Sequence, residues 1–145
     1  MAWAATTAIV LTLTGLWMCA AQERPEISYR SMSEAVQHGA IDSGWIPEWI
    51  PASATSIHEI HDLDTNASMM VFEMPAGSTW PLPSHCHPVS VAGIGGMPFS
   101  PPWWPEADEL AKSYSFHRCA EDPTVGRAQW AARHHLGIRG LFWRS

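Results

Sequence analysis

Between Ser53 and Met74 the chain reads SATSIHEIHDLDTNASMMVFEM, which gathers His58, His61, Asp62, Asp64 and Asn66 into nine residues. Three chemistries use such residues. Oxygen ligands at alternate positions converge on a hard cation, and Glu73 falls twelfth from Asp62, as in a calcium loop. Ala67, however, stands near where that loop needs glycine, and Asp and Asn also make tight turns by accepting backbone hydrogen bonds, so a structural turn is the favoured reading. Imidazole nitrogens bind zinc, and His85 and His87 could join His58 or His61 around one ion. No CxxC or HxxxH spacing supports that set, and adjacent residues seldom aim at one point. Finally, His61 paired with Asp62 or Asp64 could act as a general base in hydrolysis, although no Gly-x-Ser-x-Gly accompanies it.

Cys86 sits between His85 and His87, but adjacency in sequence gives neither histidine a hydrogen bond to the thiol. A disulfide is the favoured role. Once an export segment is set aside, Cys86 and Cys119 remain as an even pair, closing a loop of 34 residues counted with both ends. On a chain-entropy estimate that loop is worth about 4 kcal/mol.

These residues need elements to hold them. Ser31 with Glu34 three residues on is a capping-box pattern and Gly39 is a stop, so Met32 to His38 is expected as a short helix. The repeat Trp45-Ile46-Pro47-Glu48-Trp49-Ile50-Pro51 is stiffened by its prolines, which push each isoleucine towards extended backbone. Thr55 to His61 matches helix and strand alike and is taken as a strand. Ser68 to Met74 reads as a strand buried on both faces, because Met70, Phe72 and Met74 oppose Met69 and Val71. Pro75 to Pro102, with seven prolines and four glycines, is expected as a long irregular loop. Pro105 to Lys112 carries acids in its first turn and a lysine at its end, as a helix would; Ser113 to Cys119 alternates as a strand. Arg127 to Leu136 is contested, since alanines and Gly137 favour a helix, whereas Arg139 to Arg144 reads as a strand.

Ala2 to Ala21 contains no charged residue and is followed by Gln22-Glu23-Arg24-Pro25, the pattern of an export segment. Cleavage near Ala20 or Ala21, lipid attachment at Cys19, and retention as a membrane anchor are three outcomes this segment permits. Residues 22–145 are then one domain. Their 46% apolar and 15% charged composition, quoted for the whole chain, is that of a folded protein, and the net charge of −6 disfavours nucleic acid as a partner. The nine tryptophans are many for this length, and Trp45, Trp49, Trp103 and Trp104 are candidates for an exposed ligand-docking surface, with core packing as the rival role.

The run Gly44-Trp45-Ile46-Pro47, Ile50-Pro51-x-Ser53-Ala54-Thr55 and His61-Asp62-Leu63-Asp64-Thr65-Asn66, with Trp104-Pro105, Cys119 and Phe142-Trp143-Arg144, resembles a family of small bacterial exported proteins. The resemblance implies an α+β domain ending in a hairpin around His135 to Ile138, and an envelope location, often as a lipoprotein. It brings no catalytic residues. The combined expectation is an α+β fold, a small antiparallel sheet with two short helices and a long Pro/Gly-rich loop. The expected function is a non-catalytic domain binding an envelope partner or ligand, reaching the membrane only through its N-terminal segment. The alternatives are a divalent-cation binder and a hydrolase with His61 as base. No cofactor is expected on the first reading; calcium or zinc would serve the second.

Overall fold

The computed structural model describes residues 24–119 and 128–145; the expected export segment and Cys19 lie outside them. Among the described residues, seven strands form one antiparallel sheet: β1 Glu26–Ser31, β2 Thr55–His61, β3 Ser68–Glu73, β4 His87–Val89, β5 Tyr114–Cys119, β6 Gln129–His134 and β7 Arg139–Arg144. Their order is β1-β2-β3-β7-β6-β5-β4. Two short helices accompany them, α1 Met32–Gln37 and α2 Ala107–Ser113.

Strand alternation divides the core between two faces. Ile57, Met70, Phe72, Ala131 and Phe142 point to the first face, covered by α1 and by Ile46, Ile50 and Trp80. Met69, Val71, Trp130, Leu141 and Trp143 point to the second, covered by α2 through Leu110 and by Ile94, Met97 and Phe99. β3 is thus buried on both sides, as its apolar run requires.

The capping box at α1 is built from Ser31 Oγ, which accepts from the Glu34 amide, and the Glu34 carboxylate, which reaches back to the amide of Arg30. Gly39, at φ 74°, then turns the chain out of the helix. Within the contested 127–136 segment, Gln129–His134 is a strand. Pairing with β5 on one side and β7 on the other overrides its helix propensity and buries Trp130, Ala131 and Ala132. Two strands were not expected. β1 is a polar edge strand in which only Tyr29 is fully buried, and β4 is three residues long, set in the proline-rich stretch.

In the centre of the sheet Gly140 of β7 lies opposite Phe72 of β3, and a Cβ at Gly140 would run into the Phe72 ring. Gly140→Ala is therefore expected to destabilise the fold by about 1–3 kcal/mol through overpacking, read as a lowered urea midpoint. An unchanged midpoint would mean that Phe72 has room to turn aside.

Candidate functional site

The Asp62–Asn66 segment is the turn between β2 and β3. Asp62 Oδ1 accepts from the amides of Asp64 and Thr65 at 3.1 and 2.8 Å, and its Oδ2 accepts from Arg24 Nε at 2.8 Å. The Thr65 amide, then the Arg24 guanidinium, hold the Asp62 carboxyl down at about 2. Asn66 takes the left-handed conformation at φ 60°, a role that needs a small polar residue rather than a cation. Glu73 ends β3 at the opposite end from this turn, five residues or about 17 Å away at strand rise. The four oxygens expected for calcium are therefore not brought together.

The histidines are likewise dispersed. His58 and His61 point to opposite faces of β2, and His58 Nδ1 lies 2.9 Å from Ser28 Oγ. His85 and His87 are exposed at β4, on the other side of the sheet, five strand spacings of about 4.8 Å from β2. Among the described residues no group of three or more His, Cys, Asp and Glu side chains is placed to hold a metal ion. Cys86 is joined to Cys119, which fastens the start of β4 to the end of β5.

His61 pairs with neither aspartate. Its Nδ1 lies 2.8 and 3.0 Å from the two oxygens of Glu59, its neighbour on the same face of β2, and both side chains are buried. Burial pushes the Glu59 carboxyl up to about 8, against the pull of Arg144, and pushes His61 down with help from the same Arg144 charge. Burial thus favours the uncharged form of both partners, a hydrogen-bonded pair rather than an ion pair. Trp45 stacks on the His61 ring at 3.7 Å and 10°, while Arg144 donates to the carbonyls of Asn66 and Gly44 and so ties the Trp45 loop to the turn. Ser68, opposite His61 on β3, would supply a hydroxyl for a hydrolytic triad, but its buried Oγ makes no hydrogen bond. The arrangement positions a covering loop.

The four candidate tryptophans do not form one surface. Trp49 packs on the first face against Trp80 and Phe142, and Trp45 covers His61. Trp104 packs against Trp143 on the second face, and the Trp103 indole donates to the Glu26 carboxylate. All four are partly buried.

A cavity of about 620 Å³ opens where the β5–β6 ladder, the β6–β7 turn and the Trp80 segment meet. Its floor follows from strand register. Ser115 lies opposite Arg133 and His117 opposite Ala131, so His117 and Arg133 are diagonal neighbours on the first face. Trp80, held by the Phe72 and Trp49 rings, forms an apolar wall with Met74 and Pro81, and its ring centroid lies 5.7 Å from Arg133 Cζ. Burial, then the Arg133 charge, pushes His117 down, and burial lowers Arg133 from its ordinary value. His117 Nδ1, Arg133 Nε and Trp80 Nε1 are buried without a hydrogen-bond partner. None of these residues stood out in the sequence. The one available signal was the alternation Ser115, His117, Cys119, which puts a histidine on an inward face.

No curated protein and no solved structure matches the chain. Residues 23–73, the segment holding β1, α1, the Trp45 loop, the Glu59–His61 pair and the turn up to the end of β3, match the family model of the YbbD head domain, and it is to that domain that this part of the chain is similar.

Proposed function

We propose that the chain is a non-catalytic ligand-binding domain of an exported cell-envelope protein, and that its ligand occupies the cavity beside Trp80. The observation that carries this reading is the cavity itself. Its volume falls in the range of small-molecule sites, its walls combine apolar and polar side chains, and its floor belongs to paired strands rather than to a loop. The buried Glu59–His61 pair lines neither this cavity nor the one of about 400 Å³ beneath Ile94 and Phe99, so the reading gives it a structural and not a catalytic part. Export rests on the charge-free N-terminal run and is compatible with the joined Cys86 and Cys119.

A small-molecule fragment screen followed by ¹H–¹⁵N spectra of the full chain tests the assignment. Bound fragments are expected to shift the amides of Ser115, His117, Arg133 and Gly137 together. Shifts confined to the Trp103 and Trp104 face, or no binding fragment at all, would remove the cavity as the site.

A further inference from the structure

We infer that this cavity takes a small organic oxyanion, a carboxylate or phosphate carried on an apolar body, with Arg133 as its charged contact. The inference rests on the cavity being the ligand site and adds the class of ligand.

Charge is the first argument. The chain carries 14 acidic against 8 Lys and Arg residues, yet the cavity is lined by Arg133 and Arg139, with His117, His134 and His135 beside them and, among the described residues, no Asp or Glu. Even with the histidines neutral, an arginine charge set in a concavity draws anions to it. The second argument is the state of the two arginines. Arg139 is committed to Glu109, at 3.6 Å. Arg133 forms no ion pair among the described residues, its Nε is buried without an acceptor, and its contact is the face of Trp80. A buried N–H without an acceptor is costly, and the planar guanidinium fork to which it belongs matches the geometry of a carboxylate or phosphate that would supply one. Third, the apolar wall of Met74, Trp80 and Pro81 faces the same space, so a bare inorganic ion would leave half of the site unused.

Isothermal titration of the full chain with benzoate and phenyl phosphate, beside their uncharged relatives benzamide and phenol, reads the inference directly. Both or one of the anions should bind at least about tenfold more tightly than its uncharged relative, and which anion prevails separates carboxylate from phosphate. Arg133→Met should weaken the anion about tenfold or more while changing benzamide or phenol by less than about twofold, and Arg133→Lys should restore part of the loss. Spectra of each variant establish that it is folded. Benzamide and phenol binding as well as the anions, or anion affinity untouched by Arg133→Met, would overturn the oxyanion and leave the cavity as a site for neutral ligands. If none of the four probes binds, the oxyanion assignment falls, and the fragment screen above decides separately whether the cavity binds anything.

Discussion

Wild-type protein is expected to lose about 2 kcal/mol of stability between pH 6.5 and pH 8, and Glu59→Gln to abolish that loss. Glu59 is fully buried, and its folded value of about 8 lies well above the ordinary carboxyl value of 4.5. A group raised in this way favours the fold below its unfolded value and ceases to as pH climbs through the folded one, because the unfolded chain ionises first. His61 has the opposite sign. Its folded value is lowered, so its contribution is present above 6.5 and is lost on acidification, which opposes the Glu59 trend at lower pH. His117, which burial also lowers, acts in the same direction as His61, and both have little left to contribute above 6.5, so the decline from 6.5 to 8 is dominated by Glu59. Glutamine keeps the shape of the protonated carboxyl but has no proton to lose, so its urea midpoint should stay level where the wild type declines. A level wild-type profile would mean that Glu59 is ionised in the fold, and that the neutral pairing with His61 is wrong.

Removal of the disulfide is the second large effect. Cys86→Ser with Cys119→Ser should lower stability by about 4 kcal/mol, since the bridge closes a loop of sequence separation 33 and restricts mainly the unfolded chain. The same change releases the three-residue edge strand β4 from β5, so hydrogen exchange at the His87 and Val89 amides should accelerate before that of the central strands. Urea unfolding of the double variant measures the first effect. A loss under 1 kcal/mol would show that the unfolded chain is already compact around this loop.

The sequence was most legible where local chemistry decides. The Ser31 cap, the helix with acids at its start, the doubly buried β3 and the Asp62 turn each follow from residues within a few positions of one another. It was least legible where pairing across the sheet decides. The alanines and arginine of β6 favour a helix until β5 and β7 flank them, and β1 shows no alternation because only Tyr29 is buried along it. Glu59 reads as an ordinary solvated glutamate; only its i, i+2 spacing from His61 on a strand hinted that both turn inward. Asp62, which with Asp64 was one of the two partners offered for His61 on the hydrolase alternative, lies past the end of that strand and is consumed by the turn. The cavity was hidden more deeply, since Trp80, His117 and Arg133 are far apart in sequence and meet only through register and the course of the chain between β3 and β4. Of the tryptophans weighed between a docking surface and the core, Trp45 covers His61 while Trp49 and Trp104 pack on the two sheet faces.

The most direct test of the cavity as the binding site follows two side-chain signals, the Arg133 Nε–H and the Trp80 indole N–H, in ¹⁵N spectra as phenyl phosphate or benzoate is added. Both groups border the cavity and lack an internal acceptor. The account predicts that both signals move and saturate at one common ligand concentration, with Trp103 and Trp104 indoles unchanged. Saturable binding that leaves Arg133 and Trp80 still, or moves the Trp103 and Trp104 signals instead, would contradict it.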